Sequence, residues 1–201
     1  MEEFIRVPYG STVHGEEEID AVINVLKTTT QMSKNVREFE SKVAAKYSKD
    51  YGIMVNSGSS ALYLSIESLN LPMGSEVITP ALTFGTTVAS IVNNKLVPVF
   101  VDVKPDTYCI DETQIESKIT KNTSAIVAPD LMGNICEWPF IRELADKHNL
   151  KILVDSADTI GATYDGISTG SFADVVITSF YGSHIINGAG NGGMIATSDK
   201  E

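Results

Sequence analysis

From Tyr51 onward the chain alternates short β-branched runs with stretches of helical periodicity, and this alternation restricts it to a sheet whose strands are joined by helices. The runs Tyr51–Asn56, Glu76–Thr79, Leu96–Val101, Ser124–Ala128, Lys151–Asp155, Asp174–Thr178 and Gly193–Thr197 read as strands. Between them Ser59–Leu69, Thr86–Asn93, Glu112–Ile119 and Glu137–His148 read as helices. Two helices are predicted before the first strand. Gly15–Thr28 carries Ile19, Val22, Ile23 and Leu26 at helical spacing, with Glu16, Glu17 and Glu18 in the first turn, where the helix dipole favours anions. Lys34–Ser48 sets Val36, Phe39, Val43 and Tyr47 on one face. The start through Val7-Pro8 is expected to be extended, and Pro72, Gly74, Pro98, Pro105 and the Asp165-Gly166 pair are expected between elements. With no internal repeat, low-complexity tract or long linker, residues 1–201 read as a single open α/β domain. The last strand runs straight into Ser-Asp-Lys-Glu, so the architecture reads as unfinished.

Composition narrows the partners. In 201 residues, 43% hydrophobic and 20% charged, there is enough apolar material for a substantial core. Fifteen Lys and Arg against 26 Asp and Glu give a net charge of −11, which opposes attraction to nucleic acid or anionic lipid. The start MEEFIRVPYG has no apolar signal core, and no run approaches the ~18 apolar residues of a membrane helix. Cys109 and Cys136 are too few for a zinc knuckle; they read as unpaired small side chains in a reducing compartment, the cytoplasm, and no metal site is expected. His14 and His148 read as surface or packing residues.

In an open α/β sheet, ligands bind beyond the carboxyl ends of the strands. Four such loops carry candidate chemistry. In Asn56-Ser57-Gly58-Ser59-Ser60-Ala61-Leu62, small residues between strand and helix let backbone N–H groups and hydroxyls converge on an anion such as a phosphate; plain helix capping by Ser57 or Ser59 explains the motif equally well. It is not a nucleophile elbow, because Ala61 stands where glycine is required. Phe84, in the loop after the second strand, could stack on a planar ring or belong to the core. Asp155 ends an apolar run in Val154-Asp155-Ser156-Ala157-Asp158, where it could hold the proton of a cationic ring nitrogen or cap a turn. The fourth segment, Thr178-Ser179-Phe180-Tyr181-Gly182-Ser183-His184, leads to a glycine run at 188–193. That run opens a strand instead of a helix, which excludes a dinucleotide fingerprint.

Taken in order, these segments resemble the DegT/DnrJ/EryC1/StrS family of fold-type I pyridoxal phosphate enzymes. The resemblance implies a large domain with a mainly parallel, mixed seven-stranded sheet and helices on both faces. It also implies a small C-terminal domain that this chain lacks, and a homodimer with shared active sites. By the family pattern Ser57, Gly58, Ser59 and Ser179 surround the cofactor phosphate and Phe84 covers the ring. Asp155 faces the ring nitrogen, and Asp158 stands where sugar aminotransferases carry Gln. The Schiff-base lysine does not match: His184 occupies its place, and no Lys occurs between Lys151 and Lys200.

That exchange resembles the family's dehydratases acting on nucleotide-linked 4-keto-6-deoxyhexoses, in deoxysugar and lipopolysaccharide biosynthesis. It implies pyridoxamine 5'-phosphate or pyridoxal 5'-phosphate held without a covalent tether, His184 as base, and loss of the sugar's C3 hydroxyl. An imidazole has no primary amine to form an imine, but it moves protons at neutral pH. One dehydratase type works with a reductase and binds an iron–sulfur cluster through a cysteine two residues after the ring-pairing Asp; here that position is Ala157. Asp130 and Asn191 stand where relatives have His and an acid, which implies altered substrate contacts. The alternatives are a sugar aminotransferase, needing a lysine from elsewhere, and a non-catalytic dimerisation or regulatory remnant.

Overall fold

A computed structural model of the chain describes residues 5–8, 10–11 and 13–200. Seven strands form one sheet: β1 (Tyr51–Val55), β2 (Glu76–Pro80), β3 (Val97–Val101), β4 (Thr123–Pro129), β5 (Lys151–Asp155), β8 (Val175–Ser179) and β9 (Gly193–Thr197). The remaining strands, β6 (Thr163–Tyr164) and β7 (Ile167–Ser168), form a separate hairpin. Sheet order is β1-β9-β8-β5-β4-β2-β3, parallel from β8 to β3, with β9 antiparallel to both of its neighbours. Strands β1, β2, β3, β4, β5 and β8 therefore share one direction. This is the mixed, mainly parallel sheet that the family resemblance implied.

Alternation along the strands feeds two cores. Ile152 and Val154 join Ile78, Ile126 and Val176 on one face, under α2 (Lys34–Lys46) and α6 (Trp138–His148). Leu153 joins Val77, Val127 and Ile177 on the other, under α3 (Gly58–Ser68) and α4 (Gly85–Asn93). A sheet buried on both faces requires such continuous apolar strands, which is why these runs were legible.

Several expectations need correction. Pro98 lies inside β3, not between elements; β3 pairs only with β2, and an edge strand tolerates a residue with no N–H. The helix expected over Glu112–Ile119 is one α-turn, α5 (Glu112–Ile115), followed by a 3-10 turn at Glu116–Lys118. Asp111 caps it, accepting the Thr113 N–H at 3.1 Å, and Ile119 is already extended toward β4. The first helix, α1 (Glu16–Thr28), forms as expected but buries nothing: Ile19, Val22, Ile23 and Leu26 are all exposed. Part of the start expected to be extended, Met1–Phe4, lies outside the described residues. The Asp165-Gly166 pair does form a turn, between β6 and β7, and both residues have positive φ (48° and 80°), as a two-residue hairpin loop requires.

Candidate active site

Because six strands point the same way, the loops after β1, β2, β4, β5 and β8 meet at one edge of the sheet, around a cavity of about 660 Å³. All eight residues singled out from sequence line it: Ser57, Gly58, Ser59, Phe84, Asp155, Asp158, Ser179 and His184.

At one end α3 begins. Ser57 is its N-cap, accepting the Ser60 N–H at 3.1 Å, so the capping role weighed from sequence is real. The cavity lies beyond that cap, at the positive end of the helix dipole. The Ser59 hydroxyl faces the Thr86 hydroxyl at 3.4 Å. Gly58 has Ser179 against it: a Cβ at position 58 would stand 2.8 Å from the Ser179 Cβ and 3.1 Å from its Oγ. Only glycine lets the first turn of α3 and the end of β8 close around the same space. Among the described residues, no Lys or Arg lines the cavity.

The other end is anionic. Asp155 terminates β5, 5% exposed, and its carboxylate accepts the Ala157 N–H at 3.1 Å. Burial above all, with Asp158 and Asp130 adding repulsion, pushes its carboxyl up to about 7. The loop behind it is pinned by a buried hydroxyl chain, from Tyr47 to Ser156 (3.1 Å) and from Ser156 to Thr159 (2.8 Å). Asp158 accepts the Met132 N–H at 2.9 Å and stands 3.7 Å from His184 Nε2. The His184 ring also meets the Tyr181 ring edge-on, centroids 6.0 Å apart. Nδ1 of His184 is buried and has no hydrogen-bond partner among the described residues.

Phe84 stands at the rim, 68% exposed, which excludes the core reading. Asp130 lines the cavity but is committed inward, because its Oδ1 accepts both the Cys136 N–H (2.9 Å) and the Trp138 indole N–H (2.8 Å). Its burial raises it to about 6. The altered substrate contact expected at Asp130 is thus, for that oxygen, a structural bond; Asn191 lies on the cavity wall. Sequence reasoning missed Thr86 and Thr87. Thr87 is wholly buried, bonded to Thr83 at 3.0 Å and directed at Asp155; its signal was the last Thr of Thr83-Phe84-Gly85-Thr86-Thr87.

Away from the cavity, Cys109 and Cys136 are both free and buried, and their thiols lie within hydrogen-bonding reach of each other. Burial raises the Cys136 thiol. His148 packs on Glu116 at 3.1 Å. Among the described residues there is no group of three or more His, Cys, Asp or Glu able to hold a metal ion, and no helix long and apolar enough to cross a membrane.

A two-sided, mainly parallel sheet with hydroxyls and a helix N-terminus at one end of its cleft and a buried carboxylate at the other defines a binding domain for an anionic, ring-bearing ligand. Residues 12–201 match the DegT/DnrJ/EryC1/StrS aminotransferase family, and the chain belongs to it. It is 34% identical to a GDP-perosamine synthase of Caulobacter vibrioides, over 100% of this chain and 54% of that protein. It is 37% identical to a dTDP-4-dehydro-2,6-dideoxy-D-glucose 3-dehydratase of Saccharopolyspora spinosa, over 96% of this chain and 44% of that one. Among solved structures it resembles the Escherichia coli GDP-4-keto-6-deoxy-D-mannose-3-dehydratase with bound hydrated PLP. The TM-score is 0.92 at 30% identity, covering 99% of this chain and 53% of that one. The chain spans about half the length of the curated relatives it matches.

Proposed function

We propose that this chain is the cofactor-binding large domain, residues 1–201, of a pyridoxamine or pyridoxal 5'-phosphate enzyme that removes the C3 hydroxyl of a nucleotide-linked 4-keto-6-deoxyhexose. The observation that carries the reading is His184, an imidazole on the wall of a cavity that no described lysine lines. The residues fit the cofactor. With no Cβ on Gly58, Ser179 closes against the first turn of α3, so that four neutral donors (the Ser57, Ser59 and Ser179 hydroxyls and the α3 N-terminus) line one end of the cavity, and no Lys or Arg among the described residues lines the cavity beside the buried Asp155.

When bound, the cofactor supplies an amine for the sugar ketone and a conjugated ring that accepts electrons. The protein does the rest. Ser57, Ser59 and Ser179 hold the phosphate, and the α3 dipole offsets part of its charge. Asp155 keeps a proton at the ring nitrogen, an exchange that relieves its own burial as an uncompensated charge. Phe84 covers one ring face. His184 takes a proton from carbon and delivers one to the departing hydroxyl. In this reading the protein is a cytoplasmic homodimer whose partner chain completes each site, and a reductase is a candidate partner.

A sugar aminotransferase is the competing reading, favoured by the identity to the perosamine synthase over the whole chain. It requires a lysine to re-form an imine after each turnover. The experiment mixes the full-length protein with pyridoxamine phosphate and a nucleotide 4-ketohexose. Release of water at C3, abolished in His184→Gln, supports the dehydratase. A 4-amino sugar that forms and persists in His184→Lys overturns it, and borohydride trapping with peptide mapping would locate any lysine involved.

A further inference from the structure

We propose that Asp158 is a positioning residue that fixes the tautomer of His184, holding the ring proton on Nε2 and leaving the lone pair on Nδ1. The family pattern gives Asp158 only a place at the cofactor; the geometry gives it a second task. Its two oxygens have separate partners: Oδ2 accepts the Met132 N–H at 2.9 Å, and Oδ1 lies 3.7 Å from Nε2. Turning the carboxylate away would strip Met132 of its acceptor in a turn where that residue already has a φ of 56°. The ring is held from its own side too, because the His184 N–H donates to the Tyr181 carbonyl at 3.0 Å and the two rings pack edge-on.

The two ring nitrogens therefore see different surroundings. A neutral imidazole has one N–H and one lone pair. A lone pair at Nε2 would face an oxygen of like sign, whereas an N–H there is attracted to it. Nδ1, buried and without a partner among the described residues, favours neither form, so Asp158 decides. At 3.7 Å the contact is longer than a hydrogen bond of about 2.7–3.2 Å, so charge acts on a dipole through space.

The consequence for turnover rests on the dehydratase reading. A ring that takes up a proton becomes a cation with its Nε2–H toward Asp158. Passing that proton to the C3 hydroxyl, which leaves as water with the C–O electron pair, restores the neutral ring. An acid that sets the tautomer and stabilises the charged ring is the arrangement of catalytic triads, reached here on a different scaffold.

The test is nitrogen-15 NMR of the 201-residue chain labelled at histidine. Only His14, His148 and His184 contribute, and His184→Gln assigns the third. At a pH where the rings are neutral, wild type is expected to show Nε2 protonated and Nδ1 bare. In Asp158→Asn the single amide oxygen can serve only Met132, the NH₂ group faces Nε2, and the proton moves to Nδ1. Asp158→Glu keeps two acceptor oxygens and retains the wild-type pattern. Should Asn fail to fold, Asp158→Ala is expected to give a mixture, with His148 unchanged in every variant. A wild-type ring already protonated at Nδ1, or a pattern unmoved by Asn or Ala, overturns the proposal. In the full-length enzyme, Asp158→Asn is expected to lower kcat for dehydration about tenfold with KM little changed. If the tautomer reverses but no dehydration is found with wild type, the role of Asp158 stands and the dehydratase reading falls. If dehydration is found and the tautomer does not respond, the positioning role falls alone.

Discussion

The cavity end beside α3 is made of neutral donors, while the end beside β5 and β8 holds Asp155, Asp158 and His184. The first end is satisfied without a ligand: its hydroxyls bond to one another and to the helix they cap. The second is under electrostatic load: Asp155 is raised by burial and by the neighbouring carboxylates of Asp158 and Asp130, and Asp130 is raised by burial. A site whose two ends differ in this way is satisfied at its neutral end and electrostatically loaded at its acidic end. Substitutions at the two ends should therefore move stability and affinity in different combinations.

The largest effect is expected at Asp155. In the proposed reading Asp155→Asn removes the charged partner of the ring nitrogen and should weaken cofactor binding by about 2–5 kcal/mol, roughly thirtyfold or more in Kd, measured by absorbance titration. The same change should stabilise the chain without cofactor. With Asp155 raised from its unfolded value of 3.8 to about 7, the fold prefers the protonated form. Its contribution is fully present below about pH 4 and is lost as pH rises through about 7. Chemical denaturation of wild type should therefore show stability falling by on the order of a few kcal/mol between about pH 4 and pH 7, with a flatter slope in Asp155→Asn. Carboxylates held below their usual range, such as Asp174 and Asp111, lose stability only at lower pH, so the two windows separate. An identical slope in both proteins would remove the electrostatic contrast between the ends.

Gly58→Ala comes next. Its Cβ would press on Ser179, and overpacking of this kind costs about 1–3 kcal/mol. Here affinity for the phosphate and stability should fall together, read by titration with pyridoxal phosphate and by Tm. Phe84→Ala should separate them: an exposed ring contributes little to the fold, so Tm should hold while cofactor affinity drops by about 0.5–1.5 kcal/mol. Ser57→Ala should cost about 1 kcal/mol of stability for a lost N-cap, seen in thermal melts without cofactor.

Much of this was legible in the chain. All seven strands of the main sheet were found to within two residues, because a sheet covered on both faces writes its burial as short unbroken apolar runs. The site loops were found because each follows a strand, and small residues, a terminal Asp and an out-of-place His are local signals. The two N-terminal helices show where such signals stop. Both α1 and α2 are amphipathic, yet α2 buries Val43 and Ala44 under the sheet while α1 leaves its apolar face exposed among the described residues. Periodicity says that a face is apolar; it does not say what covers it.

The sequence by itself determined the elements and the chemistry available at their ends, since propensity and periodicity act over a few residues. Only the tertiary structure decided which ends meet. Inserting β8 beside β5, with β4 on the other side of β5, sets Asp158 between Met132 and His184, each 26 residues away along the chain. Packing likewise turned Asp130 inward to Trp138, a contact eight residues off that no spacing rule announces. Strand order is a global property of how two apolar faces are covered at once, and no local run of residues carries it.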